Sequence, residues 1–354
     1  MAKERKNLID RDNAWVSYIT PFRLIIPDNQ KPYEFTLDEI NANNYNHGKL
    51  CKIVGMLPEL GLPNIHMVVC YDGALAIPRI GLYQKLENAV DFYNKIFCQL
   101  LLGGLFCEAV DKRDVVSGQL YEKRSIWPVN LGESASSNLH SKLRMRVGGT
   151  MDTIMLASPK FLHFSEFEKS VNFGKVVFEK ISNLSPTYLI KGVTEIKYRN
   201  WALALSSLWI TIEQLIEFLW QKNFIQNDKF HPPVLIEGRL KTLKEDHRTW
   251  SSSVKQEILF QTNIITPDLF LKLYPIRQAR NNLLHSGKNV ESNIAFAAYE
   301  SVMELLLICS NLDELPMENL TLEKVNIKEA DTQEIGFEDW IELSNKVNEG
   351  YSFK

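Results

Sequence analysis

Residues 200–223, NWALALSSLWITIEQLIEFLWQKN, constrain the chain more than any other stretch. Trp201, Leu205, Leu208, Ile212, Leu215 and Leu219 recur in a 4-3-4-3-4 rhythm, and Trp209 and Ile216 widen the stripe. Such spacing predicts an amphipathic helix whose broad apolar face must be covered by other helices. Suitable partners lie on both sides. Ser165 with Glu168 reads as a capping box opening a helix to about Ile181. Residues 236–247 place Ile236, Leu240 and Leu243 on one face. Thr266 as N-cap and Pro267 at the first helical position open a helix that Gly287 ends, with Pro275 kinking or restarting it. Residues 292–312 form a last long helix. The fold class expected is therefore α+β. An N-terminal mixed α/β region over 1–160 precedes a helical bundle over 161–312, and an acidic tail covers 313–354.

The N-terminal region is less regular. KLCKIVGML and IHMVVCYDGALAIPRI are apolar, β-branched runs with YDGA as a turn, which predicts a hairpin. Leu86, Val90, Tyr93 and Phe97 fall at helical spacing, with Gly103 and Gly104 as the stop. QLYEKRSIWPVNL and KLRMRV (142–147) read as strands, and alternation would put Lys142, Arg144 and Arg146 on one solvated or phosphate-contacting face.

Composition narrows the class. The 45% hydrophobic and 23% charged content is that of a soluble globular protein. The start lacks a signal peptide, and no apolar run reaches 18 residues, so no membrane partner is expected. Five cysteines without a CxxC pair argue against disulfides and zinc, and point to the cytoplasm. Net charge is −3 overall, but residues 313–354 carry eleven acidic against four basic side chains, net −7, which leaves +4 on the remainder. Neither a GxxxxGK[ST] nor a GxGxxG motif is present, and no carboxylate–histidine cluster suggests a metal.

The densest chemistry lies in RQARNNLLHSGKNV, residues 277–290. Arg280, Asn281, Asn282 and His285 fall at a helix end, where the dipole favours cations. Arg280 and His285 diverge by about 140° on one helix, so two helices across a two-fold axis would converge them better than one. Such groups suit a phosphodiester. The imidazole would move a proton at a ribose 2′-hydroxyl or the leaving 5′-oxygen, and the guanidinium would hold the non-bridging oxygens. Arg277, Lys288, Lys241 and Lys244 are candidates for contacts to an RNA backbone. Trp250 and Tyr274 could stack on a base or pack in the core, and His231 reads as a loop residue.

RNNLLH (Arg280–His285) resembles the Arg-polar-x-His motif of the HEPN superfamily, helical domains that include many metal-independent RNases. LSSLWITIEQL is similar to the apolar helix with a central acidic residue in HEPN domains of prokaryotic defence proteins, with Glu213 at the acidic place. The resemblance covers roughly residues 165–312. It implies a toxin-like or antiviral RNA endonuclease that needs no metal or cofactor. Arg280, His285 and Asn281 would be its catalytic residues, with Glu213 and Asn282 supporting them. It also implies a homodimer with a shared site, and an antitoxin or phage-derived trigger as a further partner. Other members keep the fold as binding modules, the alternative reading for this chain.

Overall fold

The computed structural model describes residues 13–31, 34–121, 125–226, 246 and 248–319. A sheet of six strands occupies the N-terminal half: β1 (Ala14–Tyr18), β3 (Ile53–Leu62), β4 (Ile65–Cys70), β5 (Ala74–Pro78), β6 (Val116–Tyr121) and β7 (Ser125–Pro128), after the short β2 (Leu24–Ile26). Its order is β3-β4-β5-β1-β6-β7, antiparallel throughout. The expected hairpin is β4–β5, turning at Tyr71, Asp72 and Gly73. The two ends of the sheet meet where Lys52 bridges Ser125, so the sheet curls into a half-barrel. Val16, Tyr18, Cys70, Ala76, Val116 and Ile126 form one buried cluster within it. A separate parallel pair joins β2 to β8 (Phe161–His163).

The helices in chain order are α1 (Leu37–Asn41), α2 (His47–Leu50), α3 (Leu86–Leu102), α4 (Ala135–Met145), α5 (Thr150–Thr153), α6 (Phe164–Lys180), α7 (Pro186–Lys197), α8 (Trp201–Trp220), α9 (Ser252–Gln261), α10 (Pro267–Ser286) and α11 (Ser292–Ser310). The α8 stripe is spent as its spacing demands. Leu205, Leu208, Trp209, Ile212, Leu215, Ile216 and Leu219 are buried, and α8 packs on α7, α9, α10 and α11. Each such side chain contributes roughly 1.5–3 kcal/mol on burial. The segment 236–245 lies outside the described residues.

The helical layer is continuous with the sheet-bearing half. α3 packs on α6 and α7, and the described residues belong to one compact unit. A Cβ on Gly174 would collide with the Gln99 backbone, and one on Gly103 with the Ser170 backbone, so these glycines let α3 and α6 touch main chain to main chain.

Four local readings need correction. KLRMRV is helical: α4 runs to Met145, capped by Ser134, whose hydroxyl accepts from the Ser137 N–H at 3.2 Å. Its buried face is mostly polar (Ser137, His140, Ser141 and Arg144, with Leu143), so hydrophobic periodicity is a weak guide to it. Ser165 is not an N-cap. β8 extends to His163, whose N–H donates to Glu166 at 3.0 Å, and the Ser165 hydroxyl donates to Asp28 at 2.6 Å instead. Pro275 does not restart the helix, since α10 runs unbroken through it; the carbonyl it deprives belongs to Leu271, on the same exposed face, where water can serve it. Finally, α8 with its continuation to Ile225, and α11, are long and apolar enough to cross a membrane by length and composition, with mean hydropathy 1.4 and 1.3. Both turn their apolar stripes to neighbouring helices, α8 and α11 packing on one another.

All five cysteines are free and buried. Burial pushes the Cys70 thiol up to about 11 and Cys51 to about 12, so neither is a ready nucleophile.

Candidate functional site

The last turn of α10 ends on Gly287 in the left-handed conformation, with φ of 61°. Its backbone N–H reaches the Leu283 carbonyl at 3.1 Å, and the Lys288 N–H reaches the Asn282 carbonyl at 3.4 Å. The helix end is thus capped by backbone, and neither Arg280 nor His285 is needed to cap it. Arg280 is half-buried and donates to the Asn281 side-chain oxygen at 3.2 Å. His285, Asn281, Asn282 and Lys288 are exposed.

His285 belongs to an exposed stripe. Leu271, Tyr274, Gln278, Asn281 and His285 are all exposed and follow one another at 3-4-3-4 spacing. Leu271 is 67% exposed and Tyr274 53%, high for apolar side chains on a helix whose opposite face carries the buried Leu269, Leu273 and Ile276. Arg280 sits on that opposite side, as the 140° divergence requires.

The supporting residues are less gathered. Among the described residues no hydrogen bond joins Glu213 to Arg280. Glu213 instead lines a small cavity of about 220 Å³ with Glu217, Trp250 and Lys255, where Lys255 pairs with Glu217. Arg277 is tied into the fold: it donates to Gln256 at 3.3 Å and lies 5.6 Å from the Tyr274 ring centre. Trp250 packs on Trp220, ring centres 5.1 Å apart, so it is a packing residue. Lys241, Lys244 and His231 lie outside the described residues, as does the tail from residue 320 onward.

Among the described residues, a highly organised polar group is one that sequence patterning missed. Asp72, in the β4–β5 turn, is fully buried against Arg144 and His140 of α4. Arg144 donates through Nε at 2.6 Å to Oδ2 and through Nη2 to Oδ1, and its Nη1 reaches the Ile126 carbonyl at 2.8 Å. His140 Nδ1 lies 3.2 Å from Asp72 Oδ2. Burial alone would raise the Asp72 carboxyl, but the Arg144 charge and hydrogen bonds, helped by His140, hold it well below the usual carboxylate range. Burial pushes His140 down, toward the neutral imidazole. The one available signal was the i, i+4 spacing of His140 and Arg144, which predicts a shared helix face.

No family model matches this chain, and no curated protein and no solved structure matches it. Function must therefore be argued from these geometries.

Proposed function

We propose that the protein is a metal-independent RNA endonuclease of HEPN type, acting in the cytoplasm as a symmetric dimer through its helical half. The observation that carries this reading is the exposure of His285 and Asn281 at an α10 end whose backbone is already capped. His285 is the acid/base at the 2′-hydroxyl and the leaving oxygen. Arg280 holds the phosphate, steadied by Asn281, and Lys288 adds a cation beside it.

The exposed stripe supports the two-fold arrangement. Leu271 and Tyr274 supply apolar contact near the middle of α10, and the same stripe ends on His285. Two copies packed along it bring two such helix ends, each with its exposed His285 and Asn281, to one groove. The same stripe also favours a second reading, a non-catalytic dimerisation module.

The discriminating experiment incubates purified wild type and His285→Ala with total RNA in excess EDTA. On the catalytic reading wild type leaves 2′,3′-cyclic or 3′-phosphate ends, DNA stays intact, and His285→Ala loses about 10²–10⁴-fold. Equal cleavage by a folded His285→Ala protein, or loss of activity on chelation, overturns it. A dimer without any cleavage selects the module.

A further inference from the structure

The N-terminal half holds a cavity of about 430 Å³ that the proposed nuclease does not use. Its volume falls in the range of small-molecule sites. The residues around it come from five places: the end of β1 and the segment after it (Tyr18, Phe22), the segment between α3 and β6 (Glu108, Asp114), the N-terminal turn and body of α4 (Ser136, His140), Met155 between α5 and β8, and Tyr198 after α7.

Three polar groups of this lining are acceptors. His140 is buried, with Tyr18 stacked on its ring at 4.2 Å and Phe22 at 4.9 Å. Nδ1 is turned to Asp72, which Arg144 keeps ionised and which can therefore only accept. The proton of the neutral ring sits on Nδ1, and Nε2 carries a lone pair. That Nε2 is buried and has no hydrogen-bond partner in the protein. An orphaned buried acceptor of this kind costs about 1–3 kcal/mol unless something donates to it.

Two carboxyls face the same space. Glu108 accepts from the Tyr198 hydroxyl at 2.6 Å, and Asp114 accepts from the Asp111 N–H at 2.7 Å. No lysine or arginine is among the lining residues. The rest of the wall is largely apolar, with Pro21, Phe22, Val110 and Leu139. Burial raises both carboxyls above their ordinary values, and Lys197 near Glu108 and Arg113 near Asp114 offset this only in part. The N-terminus of α4 also borders the cavity, which would by itself attract an anion. At this terminus the Ser137 N–H is taken by the Ser134 hydroxyl and the Ser134 N–H by the Arg113 carbonyl, and an anion is the competing ligand that the phosphate arm of the test examines.

We propose that this cavity is a binding site for a small organic cation bearing N–H donors, an alkylammonium or guanidinium compound, held between His140 Nε2, Glu108 and Asp114. The three acceptors match three donor hydrogens, the apolar wall takes a short aliphatic body, and the ligand's charge stabilises the ionised carboxyls. The proposal is independent of the nuclease reading, since no residue is shared.

The test is titration calorimetry and thermal unfolding of the full chain with methylammonium, putrescine, agmatine and, as the anionic arm, inorganic phosphate. The variants are Glu108→Gln, Asp114→Asn and both together, which preserve shape while removing charge. At least one amine should bind saturably and raise the unfolding temperature, and the double variant should weaken it at least tenfold. Absence of amine binding at tens of millimolar overturns the proposal. So does amine affinity unchanged in the double variant, or saturable binding of phosphate in preference to every amine. Unfolding of the free variants, run alongside, separates loss of the site from loss of the fold.

Discussion

Removing the Arg144 guanidinium should be among the most damaging single changes to this fold. Arg144→Met keeps most of the stem's volume but deletes three donors: two to Asp72 and one to the Ile126 carbonyl. Asp72 is then left as a buried anion facing only the Ala74 N–H at 3.2 Å and His140. Breaking a buried pair in this way costs about 3–5 kcal/mol, because the surviving charge is stranded. Against a typical total of about 5–15 kcal/mol this brings the protein close to unfolding. The double variant Arg144→Met with Asp72→Asn removes the stranded charge and should recover a good part of the loss, so the cycle will show a coupling of at least about 1 kcal/mol. Urea unfolding followed by tryptophan fluorescence measures all four corners. An Arg144→Met protein within about 1 kcal/mol of wild type, or a double variant losing the sum of both singles, would refute the stranded-charge argument. The sign with pH follows. The folded Asp72 carboxyl is held below its unfolded value, so its contribution is present above the ordinary carboxylate range and lost only as pH falls through the depressed folded value. In Arg144→Met that loss should begin at higher pH.

Other outcomes are equally specific. Gly174→Val places a Cβ against the Gln99 backbone, which has no freedom to move aside, and should cost about 1–3 kcal/mol in the same assay; tolerance would mean that α3 and α6 can separate. Glu108 behaves oppositely to Asp72: its folded pKa is raised, so its contribution is present below the unfolded value and fades as pH rises through the folded one. Glu108→Gln should therefore be at least as stable as wild type at neutral pH and flatten the profile just above the ordinary carboxylate range. If the proposed nuclease groove draws on two copies, mixing His285→Ala with wild type should lower RNA cleavage more than dilution does; a strictly linear titration contradicts the shared site. Arg280→Lys should fail to restore full activity, since a point charge lacks the guanidinium fork.

Local patterns determined the long helices of the helical half, α8, α10 and α11, but not α7 or α9. The α8 stripe, the Thr266 and Gly287 boundaries of α10, the α11 helix and the β4–β5 hairpin are all local patterns, and local patterns are written in contiguous residues. The divergence of Arg280 from His285 was equally legible, because the angle per residue on a helix is constant. Only the tertiary structure showed that Leu271 and Tyr274 are left uncovered beside His285, since exposure depends on what the rest of the chain fails to cover. α4 was misread because its buried face is mostly polar, and polar residues inside carry no periodic signal. The same holds for what that face builds. Asp72 meets Arg144 across 72 positions, and Glu108 meets Tyr198 across 90. No sequence window spans such pairs. A buried charge is tolerated only where a partner from elsewhere in the chain arrives to meet it, and that arrival is decided by the packing of the half-barrel against α4.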